Sequence, residues 1–364
     1  MTAMKGNAMS QYESPARLKQ AWSALRAAEP DMYARNMAQR LNVSEGELVA
    51  CRVGEGVTRL KDEDFGEVFR DLRAVGRVMV LTRNDSCVHE KKGWFEGVHL
   101  NKTMGPIVGG AIDLRVFLTH FKHGFAVVEE GHGQQRESLQ FFDADGTAVH
   151  KVFRLEQTDG TAWQQLVARH TGADQAPGMA AQPVEDPLPR VQDDDAIDAK
   201  ALQDGWRAMG YGPHEFYGLL KRLRATRLQA LRVVGDEFAR RASDDAAERV
   251  LNEAARRGLP IMVFTGSPGL VQIHSGPVRT IKPMGPWLNV LDEDFNLHLR
   301  LDQVAESWIV KKPTADGPVT SLELYDAQGG QIVQFFGQRL PGRPEIAAWT
   351  ALADSLAAAQ PALA

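Results

Sequence analysis

The chain has 364 residues, 43% of them apolar and 24% charged, with a formal net charge of -5. That length exceeds one ordinary core and suits two domains of roughly 150 to 180 residues, while no apolar run approaches the ~18 residues that a membrane span needs. The negative charge counts against non-specific nucleic-acid binding. From Met1 to Tyr12 there is one lysine and no apolar core of a signal peptide, so a cytoplasmic location is expected. Cys51 and Cys87 stand far apart in no metal-ligand spacing, which fits a reducing compartment.

Taken in chain order, the apolar spacing of Leu18, Trp22 and Leu25, then Met37 and Leu41, predicts helices first. The stretch Ala38 to Leu48 has the rhythm of a helix-turn-helix DNA reader, but Glu45 and Glu47 stand where base and phosphate contacts need Arg, Lys, Asn or Gln. A DNA-binding regulator is therefore the least favoured reading. Short runs of period-two alternation follow, including Val78 to Thr82, Val88-His89 and Ser138 to Phe142, broken by turn residues such as Asp143 to Gly146. His120 and His123 read as ordinary surface histidines, and His132, between two glycines, as a turn residue. A closing helix carries Trp163, and Gly172 to Ala196, rich in Pro, Ala and Asp, reads as a linker.

The plan then starts again. Leu18 to Leu25 has its counterpart in Leu202 to Met209, Val78 to Thr82 in Ile261 to Thr265, Val88-His89 in Ile273-His274, Met104-Gly105-Pro106 in Met284-Gly285-Pro286, and Ser138 to Ala144 in Ser321 to Ala327. Matches in one order at a nearly constant offset mark a tandem duplication. Helices followed by strands indicate an α+β fold with antiparallel sheet. The expected organisation is a first repeat over 13–171, a linker over 172–196 and a second repeat over 197–358. The two sheets are expected to pack as a pseudo-symmetric pair with a ligand crevice between the halves.

No P-loop, no Gly-x-Gly-x-x-Gly after a strand and no Gly-x-Ser-x-Gly elbow occurs, which removes nucleotide binding and acyl transfer by those motifs. The most unusual local sequence is Gly212 to Arg222, where Gly-Pro precedes an amphipathic helix. His214 stands near that helix start beside Phe216 and Tyr217, with Arg222, Arg224 and Arg227 following. An imidazole on a rigid element, apolar walls and basic side chains are the parts a haem site needs. On the residues alone, a partly exposed histidine at a helix start is the commoner use of this pattern, and both readings stay open.

The chain resembles the cytoplasmic haemin-transport and haem-degrading proteins of Gram-negative bacteria, of the HemS, ChuS and PhuS type. The resemblance rests on Leu81-Thr82-Arg83-Asn84 with Val88-His89-Glu90, on Ile112 to Phe117, on His214 to Leu220, and on Lys312-Pro313-Thr314 with Gln334 to Arg339. It implies a single haem b held non-covalently between the halves, consistent with the lack of a C-x-x-C-H attachment motif. His214 falls on the family's proximal iron ligand, and Arg115 on an arginine that reaches the opposite face through water. These two carry the catalytic roles if the haem ring is opened. Arg cannot lose its proton in a protein, so Arg115 serves as a hydrogen-bond donor rather than an iron ligand.

Propionate contacts fall on Arg227, Lys312, Gln334 and Arg339, and porphyrin contacts on Phe264 and Phe336. The family often has tyrosine at the position of Phe336, so a phenolic hydrogen bond is missing here. The resemblance implies either a carrier of imported haem or an enzyme that opens the ring with oxygen and an electron donor. An inner-membrane haem importer or a downstream haem oxygenase is the expected partner, and the protein itself a monomer or homodimer. A second haem position near His89 is also implied by some relatives, although a solvent-facing histidine at a strand end is the plainer reading of that residue.

Overall fold

The computed structural model describes residues 12–131, 134–184, 192–210, 213–339 and 342–358, and the side chains of residues 131, 134, 213 and 214 lie outside that description. His132 therefore falls outside it, as does the side chain of His214. The chain divides into two compact units. The first comprises Met1–Arg83, Glu90–Glu185 and Ser267–Gln272, and the second Asn84–His89, Asp186–Gly266 and Ile273–Ala364.

From the N-terminus, α1 (Pro15–Ala28), α2 (Ala34–Arg40) and α3 (Glu45–Ala50) come before β1 (Val57–Arg59), α4 (Phe65–Asp71), β2 (Gly76–Arg83), β3 (Cys87–Gly93) and β4 (Gly97–Val98). Next are β5 (Met104–Val108), β6 (Asp113–Phe117), β7 (His123–Gly131), β8 (Gln134–Phe142), β9 (Ala148–Thr158) and the closing α5 (Gly160–His170). Local chemistry sets the helix starts. Ser14 caps α1 ahead of Pro15, and Ser44 with Glu47 forms a capping box on α3.

The same order recurs as α6 (Ala199–Arg207), α7 (Pro213–Leu223), α8 (Arg227–Val233), β10 (Ala239–Arg241), α9 (Ala246–Arg257), β11 (Ile261–Ser267) and β12 (Leu270–Gly276). It continues as β13 (Ile281–Met284), β14 (Trp287–Leu291), β15 (Phe295–Arg300), β16 (Glu306–Lys312), β17 (Val319–Tyr325), β18 (Gln331–Gly337) and α10 (Ala347–Ser355). Thr226 and Gln229 close a capping box on α8, matching that on α3. The strands form two nine-stranded sheets in the orders β1-β7-β8-β9-β2-β3-β15-β14-β13 and β10-β16-β17-β18-β11-β12-β6-β5-β4. Exchanging each strand for its repeat counterpart converts one order into the other. The fold is α+β and duplicated, as the sequence predicts.

In the first unit, Val78, Val80, Leu139, Phe141 and Val152 point from one sheet face toward α4 and α5, where Phe65, Phe69, Trp163 and Leu166 complete a core. In the second, Ile261, Val263, Leu322, Leu324 and Phe335 pack with α9 and α10, including Trp349. The opposite face of that sheet is covered over part of its width by α6, α7 and α8, where Trp206, Phe216 and Leu219 meet Trp308, Val310 and Tyr325. Trp206 also donates to the Lys311 carbonyl at 2.9 Å, which ties α6 to β16. The segment after α5 lies along the first unit: Gly178 donates to the Ala50 carbonyl and Gln182 to that of Ala144, both at 2.8 Å.

Candidate functional site

Antiparallel register brings directly opposed residues to one face. In the second unit, Phe264 is opposite Gln334, Gln334 opposite Glu323, and Glu323 opposite Trp308. The adjacent row is Met262, Phe336, Ser321 and Val310. Trp308, Val310, Ser321 and Glu323 are buried beneath the helices, whereas Met262, Phe264, Gln334 and Phe336 are half-buried. The uncovered strip of β11 and β18 thus borders a covered region rich in charge.

Glu323, fully buried at the middle of β17, organises that region. Its Oε1 accepts from Arg227 Nη2 at 2.6 Å, Ser321 Oγ at 2.8 Å, Gln334 Nε2 at 3.0 Å and Lys312 Nζ at 3.2 Å. Its Oε2 accepts from Tyr325 Oη at 2.6 Å, Arg227 Nε at 2.8 Å and Gln331 Nε2 at 3.2 Å. Arg227, Lys312 and Gln334, three of the four expected propionate contacts, are therefore bonded to one carboxylate. Arg227 owes its place to the Thr226 cap, which makes it the first residue of α8, and both it and Lys312 lie over the Phe216 ring, at 5.0 and 5.2 Å.

Burial pushes the Glu323 carboxyl up, but the Arg227 and Lys312 charges overcome that effect and hold it well below the usual range. For Arg227, burial disfavours the charge and Glu323 more than restores it. Lys312 fares differently. Burial and the neighbouring Arg227 charge bring it down to about 8 against the opposing pull of Glu323. Two cations and one anion share the site, which leaves an excess of positive charge near neutral pH.

The Phe264 and Phe336 rings meet edge to face with centroids 4.9 Å apart. Arg339, just past β18, is largely buried and pairs with Asp316 at 4.0 Å. Arg115, on β6 of the first unit, is 42% exposed, held by an ion pair with Asp113 and a 3.1 Å bond to the Leu114 carbonyl. His214 lies in the first turn of α7, the element that carries Phe216 two residues on. The second unit thus brings Phe264, Phe336, Arg227, Lys312 and Gln334 to one face. Sequence reasoning missed Glu323 and Tyr325, whose signal was a charged residue in the strand centre between the core-facing Leu322 and Leu324.

The first unit provides a built-in comparison. The rows there are Leu81, Lys151, Gln140 and Phe125, then Met79, Phe153, Ser138 and Val127. Met79, Ser138 and Phe153 repeat Met262, Ser321 and Phe336, yet Met79 is 7% and Phe153 9% exposed. The charges are also rearranged. Glu45, first residue of α3, pairs with Lys151 and Arg83, whose charges bring its carboxyl down to about 2 despite the upward push of burial. This closed ion cluster shows why two equivalent faces need not offer two equivalent sites.

The description of the haemin-degrading HemS.ChuX domain matches residues 42–170 and again 224–356. The chain belongs to this family. The paired matches agree with the duplication seen in sequence and fold. Among HemS.ChuX relatives, the hemin transport protein HmuS of Yersinia pestis is 40% identical over 337 residues, covering 92% of this chain and 95% of HmuS. The crystal structure of holo-PhuS, a heme-binding protein from Pseudomonas aeruginosa, superposes with a TM-score of 0.90 at 44% identity, covering 95% of this chain and all of that one, 100%. ChuS, an E. coli heme oxygenase, gives 0.84 at 37% identity over 93% of this chain and 99% of its own.

His89 does not face solvent: it is fully buried on β3 and meets the Phe295 ring at 5.0 Å, edge to face. Its repeat counterpart His274 stacks on the same ring at 3.8 Å. The alternation of β3 turns His89 inward, and the aromatic partner comes from β15, remote in sequence. His120 and His123 are half-buried rather than freely exposed, and His120 Nδ1 bonds Asp143 at 3.0 Å. Among the described residues, no group of three or more His, Cys, Asp or Glu side chains is arranged to hold a metal ion.

Proposed function

We propose that this protein binds one haem non-covalently in the cytoplasm and either carries it or opens its ring to release iron. The observation that carries this reading is the second-unit face, where two cations and an amide flank a half-buried aromatic pair. A flat apolar ring with two carboxylates on one edge needs that combination: aromatic contact for the macrocycle and charge-assisted hydrogen bonds for the propionates. The name of PhuS as a heme-binding protein supports it from a relative that shares nearly the whole fold.

In this reading His214 supplies the imidazole to the iron, and its place in the first turn of α7 gives it a rigid support. Phe264 and Phe336 support the ring, and Arg227, Lys312, Gln334 and Arg339 hold the propionates. Arg115 would donate hydrogen bonds to a molecule bound at the iron, with Asp113 steadying its guanidinium. Bound haem itself supplies the redox-active iron for any ring opening. The chain's own contribution is to bind, orient and hydrogen-bond.

Relatives bear both names, hemin transport protein and heme oxygenase, so carriage and degradation are tested together. Purified protein is titrated with ferric haem, then given an electron donor in air. Decay of the Soret band with release of a ring-opened product marks degradation, and a stable band marks carriage. Failure to develop a saturable Soret shift removes both.

A further inference from the structure

Three side chains proposed to meet the propionates converge on a group that cannot itself meet them. A carboxylate has about four lone-pair sites, and both oxygens of Glu323 are fully engaged by Arg227, Lys312, Gln334, Ser321, Tyr325 and Gln331. The residue is completely buried. It has no capacity left for a ligand and no role as a proton donor, because its neighbours keep it ionised. The bonds it makes nevertheless leave donors over. Arg227 uses Nε and Nη2, and among the described residues Nη1 has no protein partner. Lys312 spends one ammonium hydrogen on Glu323.

We infer that Glu323 is a positioning residue: it grips the inner donors of Arg227, Lys312 and Gln334 so that their remaining donors are set for a dicarboxylate before it arrives. This rests on the proposed function and extends it. Long cationic side chains carry substantial rotamer entropy, and fixing them in advance removes that cost from binding. The carboxylate also lets two half-buried cations sit together. Without it, Lys312, over the Phe216 ring of α7, faces the Arg227 charge from α8 with no other carboxylate acting on it among the described residues. Its ammonium then gives up its proton more readily.

The test compares wild type, Glu323→Gln and Glu323→Asp in titrations with ferric protoporphyrin IX and with its dimethyl ester, which lacks the carboxylates. Glu323→Gln should lose about tenfold or more in affinity for the free acid, the scale of charge-assisted bonds, while ester binding stays within about twofold, and Glu323→Asp should recover part of the loss. Equal losses for both porphyrins mean a general structural role and overturn the inference, as does unchanged or tighter binding of the free acid. If Glu323→Gln does not fold, Tyr325→Phe removes one donor from the carboxylate and must show the same selective, smaller loss.

A ligand-free readout separates this inference from the proposed function. The Lys312 resonance, labelled by reductive 13C-methylation, should titrate near 8 in wild type and at lower pH in Glu323→Gln. An unchanged midpoint overturns the positioning role even if haem binds. Wild type that binds neither porphyrin defeats the proposed function instead, and the titration still decides the role of Glu323.

Discussion

Glu45 and Arg227 occupy the same place in the two repeats, the first helical residue after a capping box, and carry opposite charges. Each reaches onto the neighbouring sheet for its partners: Lys151 of β9 for Glu45, with Arg83 of β2, and Glu323 of β17 for Arg227. One duplicated cap therefore seals an ion cluster in the first unit and presents a cation beside an open aromatic strip in the second.

Replacing Glu45 by Gln leaves Lys151 and Arg83 without their counter-charge in a buried setting. Stability by urea unfolding should fall by about 3 kcal/mol, the usual cost of breaking a buried pair. Haem affinity should be unaffected, because neither Glu45 nor its partners Lys151 and Arg83 are assigned to the haem. A selective loss of haem binding in a well-folded Glu45→Gln protein would move the site.

Arg227 and Lys312 should behave differently when removed. Arg227→Ala strips Glu323 of its bidentate partner and should cost about 3 kcal/mol in stability as well as about tenfold or more in haem affinity. Lys312→Met keeps the Arg227 pair intact, so its stability should change by about 1 kcal/mol or less, with affinity still reduced. Parallel urea and Soret titrations read both quantities. Equal destabilisation by the two variants contradicts the network's division of labour.

If His214 is the iron ligand, as proposed, His214→Ala should abolish tight haem binding or move the Soret maximum, since the iron would then lack its protein imidazole. Restoration of the wild-type spectrum by added imidazole would place the defect at the iron. A spectrum and affinity identical to wild type would rule out His214 as the ligand.

Acid stability depends on two buried groups of the first unit. His150 is fully buried and bonds Thr82 at 2.9 Å, and burial lowers its pKa from 6.5 to about 3. The unfolded chain takes up this proton below 6.5 and the folded chain does not until about 3, so stability falls as pH drops through that window. The slope is about 1.4 kcal/mol per pH unit for one proton. Glu45 adds to it lower down: its contribution is complete above 4.5 and lost as pH falls toward 2. His150→Gln should flatten the slope of unfolding free energy between pH 6 and pH 5 by about one proton. An unaltered slope would show that His150 is protonated in the native state.

The order of elements was legible because it is written locally. The periodicity of Leu202 and Trp206 marks α6, and Leu219 and Leu220 mark α7. The strand alternation of Leu322 and Leu324 turns Ser321, Glu323 and Tyr325 onto the other face. The proposed propionate set could be named only through the family resemblance, and Glu323, the residue that gathers most of it, was missed. His89 was misread for the same reason: its burial comes from Phe295, which no neighbouring residue reveals.

Sequence alone determined the duplication, the α-then-β order of each repeat and the kinds of side chain available, since repeats and periodicity are properties of nearby residues. Tertiary structure decided which of two equivalent sheet faces stays open and which charges meet. Glu45 finds Lys151 across 106 positions and Arg227 finds Glu323 across 96. Electrostatic pairing depends on distance in space, and only the register of the sheets converts such separations into contact.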